Sequence, residues 1–357
     1  MPFDKPTTPM IRSKLIEKYK STSDPYYLYD FLRCEKFEDI EHVLQSIKDI
    51  KEFLEGYGGK FFSWSHTPLQ INFQGHLQRF DTGFFAKDIE GIDKIVKQEI
   101  FNHYSWKHEK NEDENLFKIY DVIFNFLKES SEKIQVFTTN YDQAIEVYSN
   151  KKDELRLVDG FKFNEGSGEF IWKNGDFSYC DNLKDEKTNV YLYKLHGSLN
   201  WKEHKLKQIE KTREETITSD PKFPRNMLIY PTLSPKDGYE EQPFGSLLKV
   251  FETEFQKIDV CIVIGFSFRD PHINRIFHDF SKRGKELIII SPSGYKKYKI
   301  NFLGEELTEE ELKGRTVSVD ITGPDHGGVF ILNEKLEADN IEHIIERIRN
   351  HLHVQLK

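Results

Sequence analysis

Three apolar runs in this chain each end in a turn of polar, chemically useful residues, and this repeated ending constrains the fold more than any other feature. Lys133-Ile-Gln-Val-Phe-Thr-Thr-Asn-Tyr-Asp142 closes on Asn140 and Asp142. Tyr191-Leu-Tyr-Lys-Leu-His-Gly-Ser-Leu-Asn-Trp201 carries His196. Ile258-Asp-Val-Cys-Ile-Val-Ile-Gly-Phe-Ser-Phe-Arg-Asp-Pro271 carries Gly265 and Ser267. Short apolar runs rich in β-branched and aromatic residues read as buried strands. Open parallel sheets bind ligands at the carboxyl ends of their strands, so the three turns are expected to face one crevice.

The order of elements agrees with such a sheet. Met227-Leu-Ile-Tyr-Pro231 reads as a strand, followed by a helix near 243 to 256 and the strand 258 to 264. Asp270 and Pro271 open the next helix as cap and first-turn residue, with Ile273, Ile276, Phe277 and Phe280 on its buried face. The strand Glu286-Leu-Ile-Ile-Ile290 then runs into Ser291-Pro-Ser-Gly294. Strand, helix, strand in series predicts an α/β fold with a parallel sheet and crossover helices.

Upstream the pattern is helical. Thr8 caps a helix over Pro9 to Tyr19, and further helices are expected near 37 to 55, 88 to 109 and 112 to 129, the last with Leu116, Ile119, Ile123 and Leu127 on one face. Gly58 to His66 and the Gln-rich stretch after it mix aromatic and turn residues without a period, and read as an irregular connection or lid. Between Tyr148 and Thr188, turn clusters surround short alternating runs such as Glu169-Phe-Ile-Trp172, which predicts a small β-hairpin insertion. Residues 203 to 225 are charged and read as a solvated excursion. Ile341, Ile344, Ile345, Ile348 and Leu352 mark a final amphipathic helix. We therefore expect one domain over 1–357: a mainly helical insertion at 20–130, a core at 131–295 and a C-terminal extension at 296–357.

Composition removes several classes of function. Fifty-one basic against sixty acidic residues leave a net charge of -9, and no basic run is interleaved with aromatics, which argues against direct nucleic-acid binding. Cys34, Cys180 and Cys261 are far apart and odd in number; they build neither a disulfide framework nor a four-cysteine zinc site, and a reducing cytoplasm suits them. No segment has the plan of a signal peptide or the length of a membrane span, so neither export nor insertion is expected. The thirteen histidines show no metal-ligand spacing, and no metal is expected.

Each polar turn has a chemical and a structural reading. Asn140 offers an amide that donates to a ribose hydroxyl and accepts from a water; alternatively it caps a helix starting near Tyr141. Asp142 is either a first-turn helix acid or an aid in holding the ribose. His196 supplies an imidazole, the side chain suited to general-base work near neutrality, beside a glycine that permits close backbone approach. Gly265 and Ser267 leave room for a nucleotide against the backbone, or form an ordinary strand-to-helix turn. Thr139 beside Asn140, and Ser291 after the 286 to 290 strand, complete the expected nucleotide contacts.

Taken in order, Thr-Thr-Asn-Tyr-Asp, Lys-Leu-His-Gly-Ser-Leu-Asn-Trp and Ile-Gly-Phe-Ser-Phe-Arg-Asp-Pro-His-Ile-Asn resemble the sirtuin-like NAD-hydrolase domains of bacterial antiphage defence systems, from about residue 130 to 295. The resemblance implies a Rossmann-like fold, cleavage of NAD to nicotinamide and ADP-ribose, Asn140 and His196 as the catalytic pair, and Gly265 and Ser267 at the dinucleotide. It also implies a homo-oligomer or a defence partner such as a HerA-type ATPase, an Argonaute-like protein or a nucleotide-sensing subunit. Two departures accompany it. The paired cysteines of the deacylase zinc module are absent, which demotes protein deacylation. No Gly-Ala-Gly-x-Ser loop precedes the first helix, so a strand and turn that family members use at the pyrophosphate are expected to be missing. A protein that senses NAD or ADP-ribose without cleaving it, or a purely structural subunit, is the alternative.

Overall fold

The computed structural model describes residues 8–20, 32, 40–56, 70–73, 76–79, 86–104, 110–131, 133–173, 177, 186–204, 207–212, 225–229, 239–306, 318–323 and 327–355. These group into two compact units, one within 5–105 and one from 106 onward.

The first unit holds α1 (Thr8–Tyr19), α2 (Ile40–Gly56), β1 (Gln70–Phe73), β2 (His76–Arg79) and α3 (Ala86–Tyr104). Apolar residues at helical spacing supply its core: Ile11 and Leu15 from α1, Val43, Leu44, Ile47 and Ile50 from α2, Ile92, Val96 and Ile100 from α3. Lys18 reaches Glu99, and Lys51 and Lys97 share Asp93, so the rims of the three helices carry ion pairs. The expected helices are present within a few residues. The Gln-rich stretch is not irregular throughout: β1 and β2 pair antiparallel from Gln70 opposite Arg79 to Phe73 opposite His76. Residues 58 to 66 lie outside the described residues.

The second unit begins with α4 (Lys110–Lys128) and β3 (Lys133–Thr138), followed by α5 (Ala144–Asn150), β4 (Leu155–Val158), β5 (Phe161–Asn164), β6 (Glu169–Trp172), β7 (Thr188–Lys194), β8 (Gly197–Glu203), β9 (Ile209–Lys211) and β10 (Arg225–Leu228). It continues with α6 (Phe244–Phe255), β11 (Val260–Ile264), α7 (Pro271–Ser281), β12 (Glu286–Ile290), α8 (Gly294–Lys297), a π-helical turn (Tyr298–Leu303), β13 (Ser318–Gly323), β14 (Gly327–Leu332) and α9 (Ile341–Gln355).

Its strands form three sheets. One is wholly parallel, in the order β3-β7-β4, with Thr138 opposite Lys194. A second runs β11-β12-β14-β13, parallel except for β13, with Ile264 opposite Ile290. Helices cover both parallel sheets. On one side, Phe124 of α4 packs with Ile134 and Val190, while Ile119 and Phe126 of the same helix pack with Ile288 and Ile290 and with α9. On the other, Phe251 and Phe255 of α6 meet Phe137 of β3 and Phe277 of α7. Buried on both faces, the strands need continuous apolar runs such as Leu287-Ile-Ile-Ile290, all at most 2% exposed. The architecture is α/β and Rossmann-like, as expected.

The third sheet, antiparallel in the order β10-β8-β9-β6-β5, contains the expected hairpin as β5 and β6. It is larger than foreseen. Residues 209–211, read as part of a solvated excursion, are a strand between β8 and β6. Residues 227 and 228, read as part of the parallel series, belong to β10 and pair antiparallel with β8.

Candidate functional site

The turns after β3 and β7 are stitched together by buried polar groups. Leu195 N–H donates to the Thr138 carbonyl at 2.8 Å and continues the parallel pairing one residue past the strands. The Lys194 ammonium, 2% exposed, donates to the carbonyls of Tyr141 and Asp142 and to Glu146 Oε1 at 2.9 Å. Burial raises the Glu146 carboxyl above its ordinary range, and the Lys194 charge opposes that rise. Ser198 Oγ and Leu199 N–H both donate to the Tyr141 carbonyl at 3.2 Å. The Tyr141 hydroxyl donates to the Ile229 carbonyl, and Ile229 N–H donates back to the His196 carbonyl at 2.9 Å. Gly197 has φ +85°, and a Cβ there would stand 2.0 Å from the Met227 carbonyl oxygen, so the close approach anticipated at this glycine is made by β10.

Against that framework the expected residues take distinct places. Asn140 does not cap a helix: α5 starts at Ala144, four residues later. Its backbone N–H donates to Thr138 Oγ1 at 3.0 Å, and among the described residues no hydrogen bond engages its half-buried side chain. Thr139 beside it is also half-buried. Asp142 is 7% exposed and serves α5, its Oδ1 accepting from Ala144 N–H at 3.0 Å; its Oδ2 is buried and lacks a partner among the described residues.

His196 joins the turn after β7 to the turn after β11. Its Nε2 lies 3.0 Å from Asp270 Oδ2 and 2.9 Å from the Tyr239 hydroxyl, which itself donates to Asp270 Oδ2 at 2.7 Å. Asp270 also caps α7, as foreseen: its Oδ1 accepts from the N–H groups of His272 and Ile273 at 2.9 and 3.2 Å. Burial acts to raise the Asp270 carboxyl, but hydrogen bonds and charge from His196, with Tyr239 and the Ile273 amide, hold it below the usual carboxylate range. The Tyr239 hydroxyl is driven well above its ordinary value, first by burial and then by the Asp270 charge, and keeps its proton.

The turn after β11 is built differently. Gly265 adopts φ +66°, its backbone is exposed, and a Cβ there would meet nothing within 4 Å among the described residues. The carbonyls of Ser267 and Phe268 accept from Asn301 and Asn274 at 2.7 Å each, while Phe268, at φ 55°, is fully buried. Ser291 is 1% exposed, and its hydroxyl accepts from Lys297 Nζ at 2.9 Å. Burial and the Arg269 charge lower the Lys297 ammonium below its ordinary value.

All three turns therefore meet: Lys194, Ser198 and Leu199 bind the first to the second, and His196 with Asp270 binds the second to the third. Sequence reasoning missed three of the residues that do this. Tyr239 and Asp270 are 43 and 74 positions from His196, beyond any local pattern. Lys194 left a signal, a lone cation in an apolar run, which a buried ion pair explains. The groove of about 520 Å³ along α7, lined by Pro271, Asn274 and Asn301 among others, holds none of the expected site residues. Among the described residues no group of three potential metal ligands is found, and no helix is long and apolar enough to cross a membrane.

Parallel strands flanked by helices, with polar turns converging at their carboxyl ends, define the Rossmann-like class of nucleotide-site folds. Within that class, residues 134–310 match the family model described as the SIR2-like domain. The match supports the sirtuin-like resemblance of the motifs and an NAD-related function for this segment. No curated protein matches the chain in sequence. A solved mutant Sir2 homologue in complex with 2'-O-acetyl ADP ribose is similar at 15% identity and a TM-score of 0.37, over 75% of this chain and 77% of that one.

Proposed function

We propose that the chain is a NAD glycohydrolase that cleaves NAD to nicotinamide and ADP-ribose, with residues 131–295 as its catalytic core. The observation that carries this reading is the pairing of an Asn140 side chain without a protein partner among the described residues and a His196 imidazole on the next strand's turn, at strand ends whose register sets Thr138 opposite Lys194. Asn140 holds the nicotinamide ribose and a water. His196 accepts a proton from that water, directly or through a ribose hydroxyl. The bond between C1' and the pyridinium nitrogen breaks with its electron pair going to nicotinamide, and the water oxygen bonds C1'. Positive charge develops at C1', so a site that orients one water and excludes others accelerates the step. Asp142 steadies the ribose through its buried turn, Thr139, Gly265 and Ser267 line the path of the dinucleotide, and Ser291, buried against Lys297, stands behind it.

Uncontrolled loss of NAD harms its host, which makes a triggered antiphage effector the physiological setting, acting as a homo-oligomer or with a partner of the HerA-type ATPase, Argonaute-like or nucleotide-sensing kind. The test is release of nicotinamide from NAD by the purified protein, alone and with such partners. Turnover that disappears in Asn140→Ala and His196→Ala supports the enzyme. NAD binding without turnover under every activating condition replaces it with a sensor, and no binding at all leaves a structural subunit.

A further inference from the structure

We infer that Asp270 is the positioning residue of His196 and decides which imidazole nitrogen acts as the base. The role of His196 as base rests on the hydrolase reading, whereas the place of its ring hydrogen does not. A carboxylate accepts hydrogen bonds and donates none. Its Oδ1 is taken by the two amides of the first turn of α7, and its Oδ2 receives the Tyr239 hydroxyl proton at 2.7 Å and faces His196 Nε2 at 3.0 Å. Nε2 therefore carries the hydrogen. Tyr239 has already given its only proton to Asp270, so its oxygen meets Nε2, at 2.9 Å, as a second acceptor. In the neutral imidazole the remaining lone pair is on Nδ1, which no hydrogen bond engages among the described residues. Nδ1 is the atom that takes the proton, and the imidazolium so formed stands against the Asp270 charge.

The cap geometry supplies an unusually clean probe. Asn is as good a helix cap as Asp, so in Asp270→Asn the side-chain oxygen stays on the His272 and Ile273 amides and the new NH2 group takes the place of Oδ2. An NH2 group there requires a lone pair on Nε2, which sends the imidazole hydrogen to Nδ1 and blocks the base. Tyr239→Phe removes one acceptor and leaves the carboxylate in place.

The measurement is the 15N spectrum of histidine-labelled protein, with His196 identified as the resonance missing from His196→Gln, alongside nicotinamide release. The wild type and Tyr239→Phe are expected to show hydrogen on Nε2, and Asp270→Asn hydrogen on Nδ1. Turnover should fall about 10²- to 10⁴-fold in Asp270→Asn and about tenfold or less in Tyr239→Phe. A wild-type His196 with its hydrogen on Nδ1 overturns the inference even if Asp270→Asn does not fold. So does an unchanged tautomer in a folded Asp270→Asn. A tautomer that flips as expected in a protein that never releases nicotinamide supports the positioning and removes the hydrolase reading instead.

Discussion

The turns that leave β3 and β7 differ from the turn that leaves β11 in how much protein surrounds them. In the first pair a buried lysine ties down two carbonyls and a helix acid, and Gly197 is pressed against the Met227 carbonyl with no room for a side chain. In the other, Gly265 also has a positive φ, yet among the described residues nothing stands within 4 Å of a Cβ placed there, and the turn is held through its backbone, by Ile290 at Gly265, Asn301 at Ser267 and Asn274 at Phe268. In the proposed hydrolase the contrast gives different work to the two ends of the site. Groups that must hold a reacting bond in alignment need a backbone that cannot drift, because misplacement of about 1 Å costs on the order of 10²-fold in rate. A stretch that only lets a dinucleotide lie against it needs clearance.

Lys194→Met should break this contrast most severely. It leaves Glu146 buried without its cation and takes one donor from each of the Tyr141 and Asp142 carbonyls, and a loss of about 3–5 kcal/mol is expected in urea denaturation. A loss below about 1 kcal/mol would mean the framework around Asn140 does not depend on the lysine.

Alanine at the two glycines sharpens the comparison, since both have positive φ and only one is enclosed. Gly197→Ala should cost more than about 2 kcal/mol because the backbone must move away from Met227. Gly265→Ala should cost about 1 kcal/mol, from its conformation alone, and should show mainly as weaker NAD binding in calorimetry. Equal losses of stability would erase the distinction.

The smallest effect is a slope against pH. Asp270 has a folded-state pKa below its unfolded value, so its contribution is complete above about pH 4 and is lost as pH falls through the folded value. Wild-type stability should therefore drop more steeply below pH 4 than that of Asp270→Asn in guanidinium titrations. Parallel slopes would show that the carboxylate is not held in its charged form by His196 and Tyr239.

The parallel strands and their terminal turns were legible because burial on both faces demands uninterrupted apolar runs, and such runs stop visibly at Asn140, His196 and Gly265. Asp270 and Pro271 were legible as a helix start for the same local reason. What the sequence hid depends on pairing between distant segments. Residues 209–211 carry one apolar residue in three, and β9 exists because β8 and β6 hold it from both sides. Residues 197–201 read as the polar turn after a strand and Glu203 as the start of a solvated excursion, yet all seven residues from 197 to 203 are buried as β8, where Asn200 donates to Gln143 and to the Thr212 carbonyl. Residues 318–323 and 327–332 form β13 and β14, one of them joining the parallel sheet, in a stretch read only as an extension. The second role of Asp270 was invisible because it requires His196, from another strand, to arrive at an oxygen left over by the helix cap.

In the proposed hydrolase, that leftover oxygen links helix integrity to reactivity. Fraying the first turn of α7 would release Asp270 from two amides and let its carboxylate swing away from the imidazole. Secondary structure and proton placement then fail together, so a partner that gripped or loosened the start of this one helix would set the activity of a reaction centre it never touched.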